Sequence, residues 1–333
     1  MKGKILLTGG CGFIGHHVVS ALHSQGADVV ILDSFNFHVK LPVYHNFIRQ
    51  RMSIIEKTGY PIIEADTRDM AALIRIFKEH RPEKIVHMAA IPSAALVTAD
   101  PVDGFDNNLT ATRNMLEASR TFSDNIKQFI YFSSSMAYGE FTANMVTEDS
   151  PCNPINIYGA SKLSSEFLIK AYHSTFNIPY TILRPSALYG PRCINRRVTQ
   201  LFIEAAIMDQ PLIIMDDGSD RLDFTYIDDL VQGVCLAITE DGALNETFNL
   251  TYGDSRTIIE LVKLLRASFP NLKTEFRVRD KTIPRRGTLS IDKAKRKLGY
   301  RPEWPLEKGY PKMINWYIEN HIDKELRKGK KTD

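Results

Sequence analysis

The chain has 333 residues and a formal net charge of +3, with 44% hydrophobic and 24% charged residues. That length excludes a single small core and calls for one large domain with a lobe, or for two domains, and the composition is that of a globular chain. Near-balanced charge, with lysines clustered only in a solvated tail over 324–331, excludes a basic nucleic-acid face.

In chain order, short runs rich in Ile, Val or Phe predict buried strands at 5–8, 29–33, 62–65, 84–89, 129–133 and 180–183. Between them, helical patterns predict helices at 13–24, 69–80, 108–120 and 158–176. This alternation predicts an α/β fold, a Rossmann-like doubly wound parallel sheet. Beyond residue 185, prolines and glycines shorten the elements, and helices are expected at 198–208, 227–238, 257–267 and 306–321. They read as a smaller C-terminal substrate-binding lobe over the sheet's carboxyl edge. The expected division is a cofactor domain over 1–185 with a return segment over about 223–250, and a lobe over 186–222 and 251–333.

No apolar stretch approaches the ~18 residues that span a bilayer. Glycines at 9, 10, 12 and 15 break the first apolar run, which sets aside a signal peptide. Cys11, Cys152, Cys193 and Cys235 show no CxxC or zinc spacing. Unpaired thiols, a cytoplasmic location and no metal are therefore expected.

Gly9-x-x-Gly12-x-x-Gly15 follows a predicted strand and opens a predicted helix. In that context the glycines permit a tight turn, close approach of backbone N–H groups to a pyrophosphate, and tight helix–sheet packing. The helix N-terminus adds partial positive charge. Asp33 ends the second strand, where a carboxylate accepts from the adenosine ribose hydroxyls and repels a 2′-phosphate, selecting NAD over NADP. Asp66, after the third strand, meets the adenine or caps the next helix; the two readings are compatible.

Tyr158 and Lys162 share one helical face, and Ser133-Ser134-Ser135 ends the fifth strand. A phenol with a pKa near ~10 is a poor base at neutral pH. The Lys162 ammonium and a positive nicotinamide ring favour its phenolate. Lys162 can also bind the nicotinamide ribose, and Ser134 can hold the substrate oxygen beside the phenol. The combination points to hydride chemistry on a bound nicotinamide.

The chain resembles an extended short-chain dehydrogenase/reductase, specifically the NAD-dependent sugar-nucleotide epimerase/dehydratase family, in the manner of UDP-glucose 4-epimerases. The matching stretches are the glycine motif with Phe13-Ile14, His87-Met88-Ala89-Ala90, Asn108-Leu109-Thr110-Ala111-Thr112, Phe132 to Gly139, Tyr158 to Lys162, Leu183-Arg184-Pro185, Tyr189-Gly190-Pro191-Arg192 and Asp223 to Asp229. The resemblance implies that Tyr158, Lys162 and Ser134 are catalytic. It further implies that Phe13, Ile14, Thr67, Ala89, Ala90, Asn108, Ser133 and Pro185 join the glycines, Asp33 and Asp66 around NAD. Tyr158 takes a proton from a sugar hydroxyl as hydride leaves that carbon; the keto-sugar rotates and is reduced on its other face. Relatives pair the helices at 108–120 and 158–176 across a dimer axis, so a homodimer is expected.

After Ser134, sugar 4,6-dehydratases of this family carry an Asp-Glu acid/base pair, and uronate decarboxylases carry a glutamate where this chain has Met136. Here the pair is Ser135-Met136, which cannot act as a carboxylic acid and favours a simple epimerase, most readily at C4. Two family positions differ: Ala187 stands for an asparagine and Leu222 for an arginine, with Arg221 one place earlier. Arg192, Arg196, Arg197, Arg221, Arg285 and Arg286 are candidate anchors for a nucleoside-diphosphate sugar, Arg197 and Arg286 foremost. A diphosphate needs about two arginine forks, so a surplus suits a UDP-uronate as well as a UDP-hexose. The alternatives are a dehydrogenase, reductase or dehydratase of the same family, or a non-catalytic NAD-binding module.

Overall fold

Side chains along the central strands alternate between two buried faces. Ile5, Leu7, Val29, Ile31, Val86, Ile130, Phe132 and Leu183 belong to one apolar core. Leu6, Val30, Leu32, Ile85, Phe129, Tyr131 and Ile182 belong to another. Strands apolar on both faces fit between two helical layers, and parallel neighbours require long crossovers. The computed structural model, which describes residues 3–37, 42–141, 143–320 and 322, has that arrangement.

The seven strands of the sheet are β1 (Lys4–Thr8), β2 (Asp28–Asp33), β3 (Ile62–Glu64), β4 (Lys84–His87), β5 (Gln128–Phe132), β6 (Tyr180–Pro185) and β7 (Glu246–Leu250). They pair in the order β7-β6-β5-β4-β1-β2-β3, all parallel. The order reverses at β1, which has β2 on one side and β4 on the other. In such a sheet a crevice opens outside the carboxyl ends of the strands at the reversal. The principal helices are α1 (Phe13–Ser24), α2 (Pro42–Glu56), α3 (Met70–His80), α4 (Ala111–Thr121), α5 (Ile157–Phe176), α6 (Val198–Ile207), α7 (Ile227–Thr239), α8 (Ile258–Ser268) and α9 (Leu306–Glu319).

Neither α2 nor β7 is read from the sequence pattern. The buried stripe of α2, Val43, Tyr44, Phe47 and Ile55, is interrupted by Arg51, which is itself buried. An arginine inside the stripe hides its period. The helix expected at 108–120 is preceded by a π-turn over Asp106–Thr110, with α4 beginning at Ala111. The cap of α3 is Asp69, which accepts from the Ala72 N–H at 3.0 Å. Asp66 instead pairs with Arg68 at 2.7 Å, which corrects the capping reading for that residue. The lysine tail over 324–331 lies outside the described residues.

Small two-stranded pairings tie the lobe to the sheet's carboxyl edge. Thr288–Leu289 pairs with Met145–Val146, and Arg286 bridges Arg221. The Phe141 N–H donates to the Arg285 carbonyl at 3.0 Å. Buried Asp223 anchors the same strap, accepting from Leu289 N–H and Thr251 Oγ1 at 3.0 Å and from Gly253 N–H at 3.1 Å. Asn156 caps α5 through Gly159 N–H and also donates to the Thr282 carbonyl. The helix bearing Tyr158 and the strap bearing Arg286 are thus fastened to each other.

Candidate active site

The crevice begins at the turn after β1. Gly9 has φ +73°, and a Cβ there would lie 2.8 Å from the Ala89 nitrogen. A Cβ on Gly15 would lie 2.2 Å from the Gly9 carbonyl oxygen. Both contacts are with backbone, which cannot give way as a side-chain end can. Only glycine lets α1 start this close to the turn, with its first-turn N–H groups toward the crevice.

Asp33 closes the crevice at the end of β2. Its carboxylate accepts from Cys11 N–H at 2.8 Å and Phe35 N–H at 2.9 Å. Burial pushes this carboxyl up, while the two backbone donors and the charge of Arg51 hold it down. Gly12, Phe13, Ile14, Ala89 and Ala90 line the same crevice. Behind it, Thr8 Oγ1 meets His87 Nδ1 at 2.7 Å and accepts from Ala89 N–H at 3.2 Å. His87 Nε2 reaches Thr112 Oγ1 at 3.2 Å, so β1, β4 and α4 are joined under the crevice. The glycine turn, the helix N-terminus and the carboxylate together fit a dinucleotide: a Cβ would fill the cradle, and Asp33 presents oxygens at its far end.

An adjoining pocket is lined by Ser133, Ser134, Ser135, Met136, Tyr158, Lys162, Pro185, Ala187, Arg197 and Arg286. Ser134 follows β5, and its hydroxyl accepts from Met136 N–H at 3.2 Å. Burial raises the Tyr158 phenol; Arg197, a Ser134 hydrogen bond and Arg286 oppose the rise. Two charges beyond the expected Lys162 therefore bear on the phenol. Lys162 Nζ donates to the Phe132 carbonyl at 2.8 Å. Burial draws that ammonium down to about 7, with the Glu166 charge opposing.

Glu166, one turn beyond Lys162 on α5, was not singled out from the sequence. Its carboxylate accepts from Arg184 Nε at 2.9 Å and Nη2 at 2.6 Å, and from the Ser133 hydroxyl. Its spacing from Tyr158 and Lys162 is a signal that could have identified it. Arg51, lining the cofactor crevice from α2, had no comparable signal.

Several expected site residues are engaged by other groups of the protein. Asp66 is held by Arg68, and Thr67 is buried with its carbonyl facing Asn114. Asn108 spends its amide on the Ile91 backbone and Ser161 Oγ. Arg192, expected at the substrate, turns beneath α1 and donates from Nε to His16 Nε2 at 3.0 Å. Arg221 donates to Ser255 Oγ at 2.9 Å and lines an outer cavity with Phe141, Asn144, Thr288 and Arg286. Among the described residues no His/Cys/Asp/Glu cluster could hold a metal.

The profile of the NAD dependent epimerase/dehydratase family matches residues 5–251. A putative UDP-glucose 4-epimerase of Methanocaldococcus jannaschii is 33% identical over 330 residues, covering 95% of this chain and 99% of that protein. A dTDP-glucose 4,6-dehydratase of Neisseria gonorrhoeae is 28% identical, covering 96% of each. Among solved structures, the UDP-glucuronic acid 4-epimerase of Bacillus cereus in complex with UDP-glucuronic acid and NAD is similar with a TM-score of 0.87 and 29% identity, over 95% of this chain and 99% of that one. No helix among the described residues is long and apolar enough to cross a membrane.

Proposed function

The chain belongs to the NAD dependent epimerase/dehydratase family, with NAD as cofactor, and we propose that within it the chain epimerises a nucleoside-diphosphate sugar at C4. One observation carries this reading: among the described residues no carboxyl group lines the pocket around Tyr158. Dehydration requires an acid for the departing hydroxyl. The two residues after Ser134 are Ser135, whose hydroxyl is engaged with Ser186 Oγ at 3.1 Å, and Met136. An oxidation–rotation–reduction cycle needs no such acid.

NAD, when bound, supplies the reversible hydride acceptor. Tyr158 takes the proton of the sugar hydroxyl at its phenolic oxygen and returns it. The Ser134 hydrogen bond and the charges of Arg197 and Arg286 favour the phenolate at that moment. Lys162 is oriented by the Phe132 carbonyl. Small Ser186 and Ala187 and the adaptable Met136 leave room for a sugar to turn over.

The test is to incubate the purified protein with UDP-, GDP-, CDP- and dTDP-hexoses without added cofactor. A C4 epimer seen by NMR, with no accumulation of NADH, is expected. A 4-keto-6-deoxy product identifies a dehydratase, and net NADH identifies a dehydrogenase. Tyr158→Phe is expected to retain NAD and lose about 10²–10⁴-fold in turnover.

The same reading assigns 1–185 with 223–250 to the cofactor domain, and 186–222 with 251–333 to the substrate lobe. It includes a homodimer through α4 and α5, where Leu109, Arg113, Phe167 and Leu168 line a shallow apolar depression and Phe167 is 63% exposed. A monomer by sedimentation at micromolar concentration contradicts that element. The four free cysteines support a cytoplasmic location; recovery of the protein outside the cytoplasm on cell fractionation would overturn it.

A further inference from the structure

We propose that Arg197 and Arg286 form an anion-receiving subsite beside Tyr158, and that the sugar turned over here carries a carboxylate on its ring. The substrate class is then a nucleoside-diphosphate uronate rather than a neutral hexose. This inference rests on the C4-epimerase reading, which places the oxidised carbon at the Tyr158 phenol.

The charge balance of the pocket is one-sided. Lys162, Arg197 and Arg286 line it, and among the described residues no Asp or Glu does. The oxidised nicotinamide ring adds a further positive charge when bound. Buried guanidinium groups are ordinarily matched by carboxylates, and leaving them unmatched costs stability. Arg286 is left unmatched here. Its Nε is buried with no hydrogen-bond partner, and no ion pair reaches its side chain among the described residues. The adjacent Arg285 stands 3.7 Å from Asp216 and 3.6 Å from Asp220. Asp220 also acts on Arg286 through space, but among the described residues its carboxylate stands within ion-pair distance of the outward arginine and not of the inward one.

Arg197, at the start of α6, has one neutral contact, from Nη2 to the Pro92 carbonyl at 2.8 Å. It has no carboxylate partner among the described residues. That contact aims the guanidinium and leaves the other donors available. A fork held in place in advance loses little freedom on binding, and its geometry matches the two oxygens of a carboxylate.

Position selects the ligand group. On a pyranose ring the diphosphate leaves C1, across the ring from C4, whereas the C5 substituent is next to C4. A fixed cation acting on the phenol that serves C4 therefore meets the C5 substituent. Arg197 lines this inner pocket. Arg221 lines the outer cavity, and Arg286 lines both. Arg221 then serves the diphosphate, Arg286 stands between the two anions, and Arg197 is the surplus fork left for the carboxylate. Both arginines also oppose the burial of Tyr158, so a bound carboxylate screens them from the phenol and tunes its acidity.

The experiment is calorimetric titration of the NAD-loaded protein with UDP-glucuronate, UDP-glucose and UDP, with NMR of any sugar product. UDP-glucuronate is expected to bind about 10–100-fold more tightly than UDP-glucose, the range of a charge-assisted hydrogen-bonded contact. Arg197→Ala is expected to collapse that ratio toward one, and Arg197→Lys to restore part of it. Equal affinities, tighter UDP-glucose, or no gain of UDP-glucuronate over UDP overturns the proposal. The wild-type comparison stands even if a variant fails to fold. Failure of the epimerase reading looks different: the uronate preference persists while neither sugar is inverted at C4. Inversion of UDP-glucose without a uronate preference rejects the carboxylate subsite alone.

Discussion

Glu166 and Arg184 form a two-pronged ion pair at 2.9 and 2.6 Å, with side chains only 1% and 3% exposed. The pair joins α5 to β6, and Glu166 also takes the hydroxyl of Ser133, the neighbour of Ser134. It is a positioning unit: it fixes the serine turn and sets one negative charge near Lys162.

Removing one partner of such a pair strands the other. Glu166→Ala is expected to cost about 3–5 kcal/mol in unfolding free energy, because Arg184 is left buried and charged. Glu166→Gln keeps the shape and removes the charge. Lys162, already drawn down to about 7 by burial, then loses the charge that opposes that effect. Its protonated form gives way at lower pH, so the alkaline limb of kcat/KM moves toward acid. Chemical denaturation and a pH–rate profile check the two effects; a Gln variant with an unmoved profile contradicts the role given to Glu166.

Gly15→Ala introduces a methyl group 2.2 Å from the Gly9 carbonyl oxygen. The helix and turn must separate to admit it, which opens the cradle. Loss of copurified NAD is expected, with a lowered melting temperature. Full retention of cofactor by absorbance and chromatography contradicts the packing argument.

His87 is buried between Thr8 and Thr112, and burial followed by the Lys162 charge draws it down to about 3. Above its ordinary value both folded and unfolded states are neutral there. As pH falls below that value, the unfolded chain takes up a proton that the folded chain refuses. Stability from this group is therefore complete above ~6.5 and is lost progressively as pH falls through about 3. His87→Gln removes the titration. Between pH ~7 and ~4 the wild type is expected to lose roughly 3 kcal/mol more than the variant. His16 and His17, also drawn down by burial, contribute equally to both proteins. Parallel pH–stability curves would contradict this assignment.

The strands and the cofactor turn were legible because each rests on local pattern: apolar runs for β1 to β6, and glycines between a strand and a helix. The edge strand β7 was not, because Glu246, Thr247 and Asn249 break its apolar run. Tyr158, Lys162 and Ser134 were legible as types at a spacing, and the structure gathers them in one pocket. Their electrostatics were not. The nearest sequence cation, Lys162, faces the Phe132 carbonyl, while Arg197 and Arg286 reach the phenol through lobe packing. Arg192 misled for the same reason: its motif places it near the site, but its side chain is taken up by His16.

The central claim is that one carbon loses and regains its own hydrogen while Tyr158 carries the proton. The direct measurement uses a sugar nucleotide deuterated at C4, incubated with the purified protein in ordinary water without added cofactor. The account predicts the C4 epimer with deuterium kept at C4. An epimer that has exchanged its deuterium for solvent hydrogen, or a product deoxygenated at C6, would contradict it.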